Sequence, residues 1–500
     1  MSLIRRLDPR LLVLGTLSAG ALAYAAVRAV RVPIVHDEAL TYFQFVAGPW
    51  AGSLDPRIPF PENNNLNAIL SATAWKVFGG GELAFRLPNL LAYPLFLVAT
   101  ARLAVRQSTA TLSVAAFLLL NANAFAVEFF SLSRGYGLGL AFLASGVAFL
   151  VGALERPGRA SIPASLGVLC LGLAAYAHLS FLLPLAACVA AGFARETWRL
   201  VSRSRSPNSG PSSDPSLLIP LSISLPFLLV LVPYSMELSR KGHFRMGGVR
   251  GLWSDTVVSL LAVLRGRLPE DAPRAPLLEA AVATAALFLV AAVLLRPRLL
   301  TPVALVPTVF LGLAAAGTEL ASRVFAARYP QERAALSLQF LFLAAGAGAG
   351  GEWIAKKRSG WRLVRAMMFV AAICASAAFL RAANTTHTLT WRYDADNPRM
   401  LEDLDQARRE RGFARPVRLG ITWLMEPSIN YYRVRRRLDW LLPVTRFGLA
   451  DRDPDFCYWT PKDDDAARAL GLAALAAYPT SGNRLAARVS ALAPPRGPRP

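Results

Sequence analysis

Charge is what this chain has least of. Only 17% of its 500 residues are Asp, Glu, Lys or Arg, while 54% are hydrophobic. A charge content this thin excludes an ordinary soluble protein, in which roughly 25% of residues are charged. Cysteine and histidine are equally scarce, with four of each. Cys170, Cys188 and Cys374 fall inside apolar blocks and Cys457 stands alone near the C-terminus, so there is neither metal-ligand spacing nor a disulfide framework, and no structural bridge is expected. Internal repeats are also lacking, which weighs against a transporter built from duplicated halves. Acidic residues number 32 against 54 basic ones, a net charge of +22. In a soluble protein that excess would suggest nucleic acid. Here membrane topogenesis and anionic lipid headgroups account for it, and no nucleic-acid partner is expected.

What the chain does have is long apolar blocks, recurring from residue 11 to residue 382. Windows of about 20 apolar residues predict eleven spans, near 11–30, 84–104, 109–127, 135–154, 160–176, 179–194, 217–234, 276–295, 300–317, 334–351 and 363–382. The break at Tyr176-Ala177-His178 either separates two spans or kinks one long helix, and the choice sets the parity of everything downstream. The first apolar block runs the length of a full span and is expected to stay as an anchor.

The expected fold class is an all-α polytopic membrane domain over 1–382 with a small extracytoplasmic α/β domain over 383–490 and a Pro-rich disordered end over 491–500. In the second domain the pattern predicts helices over Met400–Arg411 and Pro427–Leu438 and strands over Val417–Trp423 and Asp455–Trp459. The Ser/Pro-rich 203–215 segment reads as a flexible cytoplasmic connector.

Positive charge orients the spans. Arg5, Arg6 and Arg10 precede the first, and Arg102, Arg106, Arg156, Arg159, Arg195, Arg199, Arg203, Arg205, Arg296, Arg298, Lys356, Lys357 and Arg358 fall in alternate connections, which should face the cytoplasm. The outer face then receives the 31–83 loop, the 128–134 turn, the 235–275 and 318–333 loops and everything after 383. A multi-pass bacterial plasma or inner membrane protein is expected. All four histidines, His36, His178, His243 and His387, fall on that outer side.

The residues that point to chemistry stand there too. Asp37-Glu38 follows the first span directly, and an adjacent carboxylate pair at a bilayer edge is costly to keep unless it is used. Its plainer reading is a helix N-terminus, where acids oppose the macrodipole favourably. The loop around the pair carries two amphipathic pieces, Asp37–Ala47 and Asn65–Phe78, joined by the Pro-rich Asp55–Pro61, and a loop this long and patterned is usually functional. It ends in Phe78-Gly79-Gly80-Gly81, a turn feeding the next span. Arg134 and Arg333 stand at outer ends of spans, where a planar guanidinium either grips phosphate oxygens or snorkels to headgroups. Arg86 is read as the i, i+4 partner of Glu82.

These residues carry a resemblance. Asp37-Glu38, Glu62, Asn63-Asn64-Asn65-Leu66-Asn67 and the run from Phe78-Gly79 to Arg86-Leu87-Pro88 resemble the first outer loop of GT-C membrane glycosyltransferases of the protein mannosyltransferase and aminoarabinose transferase type, the family 39-like enzymes. Ser133-Arg134-Gly135-Tyr136-Gly137-Leu138 is similar to their Arg-x-Tyr element, and Tyr329-Pro330-Gln331-Glu332-Arg333 to their late outer loop. The likeness touches the first 350 residues in order. Two positions depart from it. Asn65 stands where relatives often have His or Pro, which removes a His-assisted step, and Asn63 stands where aminoarabinose transferases have Lys, so the lipid phosphate needs another cation.

The resemblance implies transfer of a sugar from a polyprenyl-phosphate carrier to a hydroxyl of a lipid, glycan or protein on the outer face. Displacement at an anomeric carbon needs a carboxylate to take the acceptor proton and positive charge on the departing phosphate. Asp37 is the candidate base, with Glu38 and Glu62 orienting the acceptor or stabilising charge on the sugar. Arg134, Arg333, Arg328 and Arg245 are candidates for the donor phosphate, and His36, Tyr42, Asn64, Asn65, Tyr136, His178 and Tyr329 for substrate contacts. No cofactor is expected. Asp37-Glu38 with His36 could take a divalent ion, but the loop has no Asp-x-Asp pattern and Asp463-Asp464-Asp465 lies in the remote tail. A lipid or oligosaccharide transporter or flippase, and an O-antigen ligase or polymerase working at a similar outer site, remain the alternatives.

Overall fold

The computed structural model describes residues 8–47, 65–205, 217–242, 247–295, 300–355 and 361–488. Contacts divide these into two compact units, one holding 8–29 and 65–383 and the other 30–47 and 384–488.

The first unit is helical. Its principal helices are α1 (Pro9–Arg31), α3 (Asn65–Val77), α4 (Glu82–Ala104), α5 (Ala110–Asn121), α6 (Ala124–Glu128), α7 (Gly135–Glu155), α8 (Ser161–Ala177), α9 (Leu182–Arg205), α10 (Leu218–Ser222), α11 (Ser224–Arg240), α12 (Val258–Leu264), α13 (Pro276–Leu295), α14 (Pro302–Phe325), α15 (Leu336–Ala355) and α16 (Trp361–Ala382). Among the described residues nine helical segments are long and apolar enough to cross a membrane, and α5 and α8 are apolar but shorter. Their outward surfaces are apolar too. Leu277 is 88% exposed on α13 and Leu380 74% on α16, which only a hydrocarbon surround makes stable.

Local chemistry sets the ends of several of these helices. Gly79 and Gly80, at φ +79° and +75°, turn the chain between α3 and α4 in a conformation other residues resist. The Thr109 side chain accepts from the Leu112 N–H at the start of α5, and Asn123 from Ala126 at the start of α6. At His178 the backbone is extended (φ −158°, ψ 131°), so α8 and α9 are two helices, not one kinked rod. Glycines let α7 and α8 touch. A methyl on Gly146 would come 3.1 Å from the Gly167 carbonyl, and one on Gly167 3.2 Å from that of Gly146.

The second unit joins residues 30–47 to an α/β fold. It contains α2 (His36–Thr41), which runs on as a π-helical turn (Tyr42–Val46), then α17 (Asn397–Glu410), β1 (Leu419–Ile421), α18 (Glu426–Arg435), β2 (Phe456–Trp459), α19 (Asp464–Ala469), β3 (Leu472–Ala477) and β4 (Arg484–Arg488). The sheet order is β1-β2-β4-β3, with β1 and β2 parallel and the other pairs antiparallel. Asp455 pins its start, accepting two bonds from Arg415 and one from the Arg418 N–H. Helix α2 packs on α18.

Candidate active site

Asp37 and Glu38 occupy the first turn of α2, and the structure gives them different work. Glu38 is fully buried, and its carboxylate accepts the Val35 N–H at 3.3 Å, closing the capping box that starts the helix. Asp37 lies one position earlier, 8% exposed, with the Thr41 hydroxyl bonded to its carbonyl.

The segment entering this turn is fixed by three hydrogen bonds within the second unit. The Ile34 N–H donates to the Tyr432 hydroxyl at 2.8 Å, and the His36 N–H to the Asp394 carboxylate at 2.7 Å. The His36 Nδ1 lies 2.5 Å from the Leu424 carbonyl, which can only accept, so Nδ1 carries a proton. The His36 ring also meets Trp423 edge-on, and Tyr42 meets Tyr431 edge-on at 5.0 Å. Both predicted substrate contacts are thus engaged in the packing of this unit.

In the helical unit Arg134 is the N-cap of α7 and is 3% exposed. A buried polar network flanks it. The Asn89 amide donates to Asn67 at 2.6 Å, Asn67 donates to the Ser133 carbonyl, Ser71 and Ser133 share a bond, and the Leu138 N–H donates to the Asn89 side-chain oxygen. Gly137 belongs to the same construction, since a methyl there would sit 2.4 Å from the Phe129 carbonyl. Two residues after Arg134, the Tyr136 ring lies tilted over the His178 imidazole, their centroids 3.8 Å apart. The His178 Nδ1 accepts the Ser180 N–H, so when neutral its proton sits on Nε2 as a donor. Arg134, Tyr136 and His178 are therefore placed by one group of helix ends.

The segment around Tyr329 is as firmly built. Tyr329 and Gly248 exchange two backbone bonds of 3.0 Å, the Tyr329 hydroxyl donates to Glu319, and Thr256 donates to the Pro330 carbonyl at 2.6 Å. Glu332 sits at φ +47°, a conformation costing roughly 1 kcal/mol or more for a non-glycine residue, with its N–H held by Ser259. Arg333 follows, half-buried, while Arg328 is exposed. Asp255 anchors the facing turn by accepting from the N–H groups of Arg250 and Gly251.

Of the other predicted residues, Asn65 opens α3, while Glu62, Asn64 and Arg245 lie outside the described residues. Arg86 is fully buried and donates to the Ala29 carbonyl at 3.1 Å. The described residues contain no group of three His, Cys, Asp or Glu able to hold a metal ion.

Sequence reasoning passed over Asp394, Asp255 and the buried pair of Arg28 with Glu128 at 3.3 Å. Arg28 inside a predicted span was a usable signal, because an intramembrane charge needs a partner. Asp255 and Asp394 lie in stretches of ordinary polarity and had none.

No protein-family model matches the chain, and no curated protein is significantly similar to it in sequence. Solved structures resemble it. ArnT from Cupriavidus metallidurans bound to undecaprenyl phosphate is 13% identical with a TM-score of 0.48, over 97% of this chain and 99% of its own. The Archaeoglobus fulgidus oligosaccharyltransferase is 13% identical with a TM-score of 0.44, over 94% of this chain and 73% of its own. The arabinosyltransferase EmbB from Mycobacterium smegmatis is 16% identical with a TM-score of 0.41, over 86% of this chain and 44% of its own.

Proposed function

We propose that this chain is an integral-membrane glycosyltransferase that moves a sugar from a polyprenyl-phosphate carrier to a hydroxyl of a lipid, glycan or protein on the outer face of the membrane. The bond from the anomeric carbon to the phosphate oxygen breaks, a bond to the acceptor oxygen forms, Asp37 takes the acceptor proton, and polyprenyl phosphate leaves as the anion. Arg134 and Arg333, both in the helical unit, are the candidates for the phosphate charge.

The observation that carries this reading is the burial of an adjacent acidic pair in one firmly held turn. Helix capping accounts for Glu38, whose carboxylate closes the turn. Asp37 stands in the same first turn, an acid kept nearly out of solvent. Partial desolvation is the usual means of bringing a carboxylate toward the basicity that general-base catalysis needs. In the helical unit, a network of buried Asn and Ser side chains flanking one arginine at a helix start suits a phosphate better than headgroup snorkelling does, because a snorkelling side chain needs no such surroundings.

The test is release of polyprenyl phosphate by purified protein supplied with a panel of polyprenyl-phosphate-linked sugars and hydroxyl acceptors, wild type beside Asp37→Asn. The substitution is expected to cut turnover by about 10²-fold or more, the lower end for loss of a general base. Equal turnover removes Asp37 from the mechanism. If no donor turns over while a lipid-linked sugar crosses proteoliposomes containing the protein, the chain is a transporter.

A further inference from the structure

We propose that Asp394 is the positioning residue for Asp37, holding the acidic turn of α2 in place through the backbone N–H of His36. This rests on the reading of Asp37 as the base. Every contact it invokes lies within the second unit.

Asp394 is 1% exposed and accepts three hydrogen bonds. One carboxylate oxygen takes the His36 N–H at 2.7 Å, and the other takes the Asn397 amide at 2.9 Å and the Ser428 hydroxyl at 2.6 Å. Asn397 in turn bonds Ser428, so α17 and α18 together orient this one carboxylate. A buried acid is an expensive way to satisfy a single backbone N–H, which a serine or a carbonyl would serve as well. What an acid adds at that point is a second acceptor oxygen, which brings the Asn397 and Ser428 donors onto the same group, and electrostatic coupling to a second acid.

Asp37, the residue after His36, supplies that second acid. Desolvation pushes the Asp394 carboxyl up to about 8, its three donors oppose the rise, and the charge of Asp37 adds to it. The other titratable group facing Asp394 is Tyr458 on β2, itself raised by burial. His36 presents its backbone there, its ring being engaged with Leu424 and Trp423. One residue thereby fixes where the base stands.

The experiment compares wild type, Asp394→Asn and Asp37→Asn in the full-length protein, using the polyprenyl-phosphate-linked sugar that turns over best in the panel. Asp394→Asn should lower kcat at least 10-fold with the donor KM within 2-fold, and should abolish an inflection near pH 8 in the wild-type rate profile. A merely structural residue would move neither the pH profile nor kcat alone. Tyr432→Phe, which deletes the neighbouring anchor on Ile34 at nearly constant volume, should lower kcat several-fold without changing KM, and it carries the test if Asp394→Asn does not fold. Wild-type kcat in the folded variants, a loss confined to KM, or a surviving inflection in Asp394→Asn overturns the proposal. If Asp37→Asn stays active, the underlying reading has failed; if it is inactive while Asp394→Asn behaves as wild type, this inference alone has failed.

Discussion

Arg134 separates two kinds of arginine. A snorkelling guanidinium tolerates Lys, which keeps charge and reach, whereas a planar fork on phosphate does not. Arg134→Lys is therefore expected to raise the donor KM or lower kcat at least 10-fold with little change in thermal stability, measured by turnover beside a melting curve. Asp394 gives a prediction at the same scale. Its folded pKa of about 8 lies above its ordinary value of 3.8. The folded state thus binds more protons between those values, and the contribution of this group to stability is fully present below about pH 4 and lost as pH rises through 8. Asp394→Asn should flatten the pH dependence of unfolding across that window, and an unchanged slope between pH 4 and 8 would show that Asp394 is not protonated there. Asp37 was legible because a carboxylate pair beside an apolar span is out of place. Asp394 was not, because its meaning comes from His36, 358 positions away.

At the scale of elements, long apolar runs announce themselves: among the described residues nine of the eleven predicted spans coincide with helices long enough to cross a membrane, while 109–127 divides into α5 and α6 and 160–176 holds the shorter α8. The turn at Gly79 and Gly80 was equally readable from composition. Strands β3 and β4 were not. Leu472–Ala477 is LAALAA and Arg484–Arg488 is RLAAR, sequences with helical preference that the sheet overrides by pairing Ala473 with Ala487 and Ala474 with Ala486. Contact between α7 and α8 depends on glycine backbones approaching each other, and side chains there have nowhere to go. Gly167→Val is expected to destabilise the protein by about 1–3 kcal/mol, the range for overpacking a filled site, read as an earlier melting transition in detergent. An unchanged transition would mean the two helices separate freely.

For the whole molecule, charge bias and apolar runs foreshadowed both a membrane body and an α/β lobe, while the grouping of residues 30–47 with the lobe had no local signal. The residues that receive α2, on α18 and in the turns around Asp394 and Leu424, have no distinguishing pattern until their partner is known. The sidedness expected from the arginine bias is open to direct labelling. A cysteine at Arg437, in the exposed turn after α18, should react with a membrane-impermeant maleimide in intact cells, whereas one at Arg156, after α7, should react only after permeabilisation. The reverse pattern would put Asp37 on the cytosolic side and end the account of outer-face transfer.

The central claim is that Asp37 acts in the chemical step and not in holding the lipid. Binding of polyprenyl phosphate and release of it from a lipid-linked sugar, measured side by side in wild type and Asp37→Asn, test that most directly. The account predicts a Kd within about twofold and turnover lower by about 10²-fold or more. Undiminished turnover, or a loss that lies entirely in binding, would contradict it.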